Sequence, residues 1–314
     1  MLGSIMTSRW RLLPLVAALL AAPTVDASAQ APAAAQAAPS GKPSGSRGHF
    51  VWKVARNGKA VAWLVGSVHV LAKDAYPLPA IFDQAFAETR TLIEEVDLGA
   101  AADPASVVSL ASKALFTDGR TLSAVLDRET YSLVEAKAQA AGLPMLVLER
   151  MKPWLVAMTL AVPALQRAGF DPAFGVDRHF YDRAKAAGRP VRGLETVAYQ
   201  IERLDGLPIP VQVEMLRAVL GDVDTQVASV GAIVSAWTSG DVAALERLLL
   251  QEFRESREVY QRLLVERNLT WTPQIAACAD EPAPCLVVVG GAHLVGPDSV
   301  VALLRQAGFS VDQQ

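Results

Sequence analysis

Apolar positions recur along the chain at two different periods, and the change of period divides it into sections. From Phe50 to Val70 the sequence FVWKVARNGKAVAWLVGSVHV holds two apolar stretches around Asn57-Gly58. That dipeptide suits the positive φ angles of a tight hairpin turn, so two strands are predicted, the second delivering Gly66 and His69 at its end. LPAIFDQAFAET, from Leu78, has helical spacing. TLIEEVDL, from Thr91, predicts a short strand with Leu92, Glu94 and Val96 facing one way and Ile93, Glu95 and Asp97 the other.

From Asp103 to about Asn268 the spacing is mostly helical. Pro153 suits a first helical turn, Gly142 and Gly188 act as stops, and Gly240-Asp241 opens an amphipathic helix. PVRGLE, Pro190 to Glu195, is the short strand expected inside this stretch. The chain then closes with PCLVVVGGAHL, the helix PDSVVALLRQAG and the strand FSVDQ. That repeats the strand, helix, strand plan of the first half.

Strands with unbroken apolar runs are normally buried on both faces. The two units are therefore expected to share one sheet. The fold class that follows is α/β: a mixed central sheet built from N- and C-terminal strand-helix-strand units, with a largely helical middle region packed on it. PWLVAMTLAVPAL is too short to span a bilayer and contains Pro163, so it is expected to be a core helix. No internal repeat of solenoid period is visible.

Composition adds limits. With 314 residues, 52% of them apolar, the chain has ample material for a core. Arg9 and Arg11 precede LLPLVAALLAAP, and ASA at Ala27 to Ala29 offers small residues to a signal peptidase. Residues 1–29 are thus expected to be a cleaved signal peptide, with Met6 as an alternative start, rather than a membrane anchor. Residues 30–48 are Ala, Pro, Ser and Gly with almost nothing to bury, a disordered leader, and the folded domain is expected over 49–314. The expected location is exported, in the periplasm.

The chain carries 29 basic and 32 acidic residues, and removing the signal takes two bases and one acid. A mildly acidic protein has no electrostatic footprint for nucleic acid. Cys278 and Cys285 are the two cysteines. An exported context lets them pair across a short loop, and with no His close by this is favoured over a thiolate metal site.

Of four histidines, His69 and His293 each follow a glycine by three residues at the end of an apolar strand. Glycine is about 7% of residues, so chance gives two such histidines in only about 3% of sequences. Ligands in open α/β sheets bind beyond the carboxyl ends of strands, and imidazole is both a common metal ligand and a general base. An EEVD run in a buried strand needs a compensating partner for its charge, for which a cation is a natural candidate. Asp177, Arg178 and His179 in FGVDRHF, Glu195 in RGLETVAYQ, and Lys152 are further candidates. Zincin, serine-hydrolase, phosphate-loop and dinucleotide signatures do not occur.

The stretches LVGSVHVLAKDAYPLP, LIEEVDL, KPW, FGVDRHF, GLET, ERN and VVVGGAHLVGPDSVVALLRQAGF carry a resemblance. The sequence resembles the TraB/GumN family, whose wider relatives include the Tiki membrane metalloproteases and, more remotely, erythromycin esterase-like and ChaN-like proteins. The match runs from Trp52 to Val311. It implies a divalent-metal-dependent peptidase, with His69, Glu95 and His293 as metal ligands.

The expected function is hydrolysis of an exported peptide or small amide substrate. Mn, Co or Zn is bound by those three residues, and Glu195 or Asp177, with Glu95, moves protons or completes the shell. The alternatives are a metal-free hydrolase in which a carboxylate-oriented histidine activates water, and a non-catalytic peptide- or haem-binding protein. Oligomeric state is left open.

Overall fold

The structure is a computed structural model that describes residues 48–314. The expected signal peptide over 1–29, and the leader over 30–48 apart from Gly48, lie outside the described residues.

Six strands are formed among the described residues: β1 (Val51–Arg56), β2 (Lys59–Ser67), β3 (Thr91–Glu94), β4 (Val191–Gly193), β5 (Cys285–Gly290) and β6 (Ser310–Gln313). They make one mixed sheet in the order β4-β3-β5-β2-β1-β6. Asn57 and Gly58 turn the β1–β2 hairpin with φ of 53° and 78°. β5, buried along its whole length, lies parallel to both β2 and β3, so the two ends of the chain do share the sheet. The last strand pairs antiparallel with β1 at the edge.

The helices of seven or more residues are α1 (Ala80–Ala87), α2 (Pro104–Ala114), α3 (Arg128–Ala140), α4 (Pro153–Arg167), α5 (Val176–Ala186), α6 (Val197–Asp205), α7 (Ile209–Leu220), α8 (Val223–Thr238), α9 (Val242–Glu255), α10 (Glu266–Ala276) and α11 (Val300–Gln306). Their ends follow the sequence signals. Asp241 caps α9 by accepting the Ala244 N–H at 2.9 Å, Pro153 opens α4, and Gly142 and Gly188 follow α3 and α5 with positive φ. The main core surrounds the sheet, and a second cluster, including Val134, Val156, Leu160 and Leu216, joins α3, α4 and α7. No helix among the described residues is long and apolar enough to cross a membrane.

One predicted element is shorter than its sequence pattern. The strand expected from Thr91 to Leu98 stops at Glu94, because Asp97 caps a short helix, Leu98–Ala101, by accepting the Gly99 N–H at 2.8 Å. Glu95 and Asp97 therefore do not share a strand face. Cys278 and Cys285 form a disulfide with Cα atoms 6.0 Å apart, tying the turn after α10 to the start of β5.

Candidate functional site

Parallel register aligns three strand ends. Ser67 of β2 pairs with Gly290 of β5, and Glu94 of β3 pairs with Val288. The residues just beyond these ends, His69, Glu95 and His293, consequently meet in the crevice where ligands of open α/β sheets are found. His69 Nε2 lies 4.0 Å and His293 Nε2 3.8 Å from Glu95 Oε1.

The imidazole of His69 has a carboxylate on its other side. Its Nδ1 is 3.2 Å from Asp177 Oδ1, within ion-pair distance although not aligned as a hydrogen bond. Asp177, in the first turn of α5, is held by Ser67, whose hydroxyl donates to Oδ1 at 2.8 Å and accepts the Asp177 backbone N–H at 3.3 Å. Burial opposes charge on His69, but Asp177 and Glu95 outweigh it, and its pKa is raised.

The second imidazole is fixed as a neutral acceptor. The Asn268 amide nitrogen donates to the Asp298 carbonyl at 2.8 Å, which leaves Asn268 Oδ1 to accept from His293 Nδ1 at 2.6 Å. His293 Nε2 then presents its lone pair to Arg267 Nη1, 3.2 Å away. Burial, followed by the guanidinium charge, lowers the His293 pKa to about 3.

Arg267 supplies the countercharge that sequence reasoning assigned to a cation. It is 1% exposed and donates to Glu95 Oε2 at 2.6 Å and to both oxygens of Glu195, at 2.8 and 3.1 Å. Trp271 Nε1 also donates to Glu195 at 3.0 Å, and the indole packs against His293 with ring centroids 4.4 Å apart and the planes tilted by 45°. Burial raises the Glu95 pKa, but Arg267, the two histidines and the Gly290 N–H more than reverse this and bring it to about 2. For Glu195, burial outweighs the same guanidinium and its pKa is raised.

The glycines of the two Gly-x-x-His elements are explained by close approach. A Cβ on Gly290 would stand 3.1 Å from both Glu95 Oε1 and His69 Nε2, and the Gly290 N–H donates to Glu95 Oε1 at 2.7 Å. A Cβ on Gly66 would stand 3.0 Å from the Phe50 ring. Gly66 thus makes room for the buried Phe50, while Gly290 brings bare backbone to the crevice, where a cavity of about 50 Å³ is lined by His69, Glu95, Gly290 and His293 together with aliphatic side chains of α8 and α9.

His69, Glu95, His293, Asp177 and Glu195 are therefore brought together. His179, Arg178 and Lys152 are not. His179 lines a separate surface groove with Tyr76 and Arg183, Arg178 pairs with Asp182, and Lys152 pairs with Asp205. Glu94 is 2% exposed with neither carboxyl oxygen hydrogen-bonded, and burial followed by the charge of Asp177 raises its pKa to about 10.

Arg267, Asn268 and Ser67 were missed. Arg267 and Asn268 follow a π turn, Gln261–Val265, and occupy the same buried stripe of the helix as Leu263, Trp271 and Ile275. A charge on an apolar stripe was the signal available in the sequence.

Among the described residues, no group of three or more His, Cys, Asp or Glu side chains forms a metal-holding cluster. Of the three expected ligands, His69 and Glu95 face the space that a Gly290 side chain would fill, while His293 Nε2 faces Arg267.

The model of the TraB/PrgY/gumN family matches residues 50–313. The chain is 24% identical over 260 residues to "Uncharacterized protein YbaP" of Shigella flexneri, covering 82% of this chain and 94% of that protein. The YbaP of Escherichia coli (strain K12) gives the same figures. No solved structure matches the chain.

Proposed function

The chain belongs to the TraB/PrgY/gumN family, and we propose that it is a hydrolase of peptide or related amide bonds in which His69 is the acid–base residue. One observation carries this reading: an imidazole backed by a half-buried carboxylate, Asp177, turns its other nitrogen toward a cavity that Glu95 and His293 also line. Asp177 orients the ring and stabilises its charged form when Nε2 takes a proton from an attacking water. Arg267 holds Glu95 ionised beside that position and balances its charge. Glu195 anchors the guanidinium through two hydrogen bonds and in this way positions it.

A second reading gives the site a divalent ion, Mn, Co or Zn, with His69 as a ligand instead of the base. The Gly290 cradle between His69 Nε2 and Glu95 Oε1 favours it. His69 Nε2 and Glu95 Oε1 would hold such an ion, while His293 Nε2 is engaged by Arg267. When bound, such an ion supplies an acidified water near neutral pH. The Cys278–Cys285 disulfide suits an exported, periplasmic setting.

The test is a peptide library incubated with the purified protein, with and without chelator. Cleavage supports the hydrolase reading, and loss on chelation with recovery on adding Mn, Co or Zn supports the ion. Cleavage of nothing under any of these conditions overturns the hydrolase reading.

A further inference from the structure

The wall of the cavity opposite His69 and Glu95 contains no polar side chain. It is built from Val230 and Ile233 of α8 and Leu245 and Leu249 of α9, each at most 7% exposed. α9 also packs on the Gly291–His293 turn, and Trp237 of α8 donates its ring N–H to the Gly66 carbonyl at 2.6 Å. The aliphatic wall is thus tied to the same two strand ends that carry the histidines. A Cβ on Gly291 would come within 3.2 Å of Leu245, so the strand-end backbone packs closely on the wall.

We infer that this wall is a specificity pocket that selects, beside the bond to be cleaved, a residue with a small aliphatic side chain of alanine to leucine size. The inference rests on the hydrolase reading above. A space of about 50 Å³ holds about four water-sized groups, the bulk of a short branched alkyl chain and less than an aromatic ring. A lysine or glutamate side chain placed there would be desolvated against Val230, Ile233, Leu245 and Leu249 with no partner from the wall, whereas an alkyl group loses nothing. Ile233 and Leu249 are the specificity-determining positions.

The experiment compares kcat/KM for peptides that differ only at the residues flanking the cleaved bond, using parent, Leu249→Ala and Ile233→Trp, each checked for a cooperative melt. The parent is expected to favour Val or Leu over Lys or Glu by at least about 100-fold at one flanking position. Leu249→Ala is expected to admit Phe at that position, and Ile233→Trp to restrict it to Ala or Gly. Cleavage with no preference between Val and Lys, or a preference that neither variant shifts, overturns the inference and leaves the hydrolase reading standing. If the parent cleaves nothing, the hydrolase reading falls and the pocket is read by binding. N-acetylvalinamide should then raise the melting temperature of the parent, N-acetyllysinamide should not, and Ile233→Trp should abolish the response. Equal shifts for the two amides, or none, overturn the pocket.

Discussion

Arg267 Nη2 lies 2.6 Å from Glu95 Oε2, so the strongest charge in the crevice is met by a side chain from a helix 172 positions further along. This contact sets the energetics of Glu95. An acidic cluster without a countercharge would be relieved by Glu95→Gln, leaving the metal-free protein as stable as its parent or more so. With Arg267 as partner, the same substitution removes one half of a buried pair.

Glu95→Gln is accordingly expected to destabilise the metal-free protein by roughly 3 kcal/mol. Denaturant unfolding of parent and variant checks this. Equal stabilities would mean that Glu95 is not paired with Arg267 in solution.

Gly290→Ala tests the close approach of β5 to the site. Its methyl would stand 3.1 Å from both His69 Nε2 and Glu95 Oε1. Stability is expected to fall by about 1 to 3 kcal/mol, and turnover by more than that fall explains. Unchanged turnover would place the reacting groups elsewhere.

Glu94 makes stability depend on pH. Its carboxyl is held protonated in the fold, with a pKa of about 10 against an ordinary 4.5, so the native state binds more protons than the unfolded chain between those values. This contribution is fully present below 4.5 and is lost as pH rises toward 10, at a slope of at most about 1.4 kcal/mol per pH unit. Glu94→Gln should flatten the profile and make the protein more stable at pH 8. A profile identical to the parent's would show that Glu94 is already ionised.

Much of the fold was legible because it rests on local chemistry. Asn57-Gly58 marks its own turn, and the unbroken apolar runs of β2 and β5 can only be central strands. His69 and His293 were legible for the same reason, since the spacing that places each of them is local. The limit of β3 was not, because the capping of Leu98–Ala101 by Asp97 competes with the alternating pattern that continues past Glu94. Arg267 was hidden for a different reason. Its partners, Glu95, Glu195 and His293, come from three other segments, and a helical stripe reading Leu263, Arg267, Trp271, Ile275 reveals an oddity without revealing what answers it.

On the proposed mechanism, His69 sets the pH dependence of turnover. Asp177 and Glu95 raise its pKa above the ordinary 6.5, and the deprotonated ring is the competent base, so kcat/KM should rise with pH through an inflection above 6.5. Asp177→Asn should move that inflection down and lower the plateau. An inflection that stays in place in the variant would separate Asp177 from the reacting proton.

The most direct test of the account is the ratio of kcat/KM for parent and His69→Ala on one cleaved peptide at pH 8. Loss of the acid–base residue should cost at least about 100-fold, with the variant still folded. A folded His69→Ala protein that cleaves within a few-fold of the parent would contradict the assignment of this crevice as the active site.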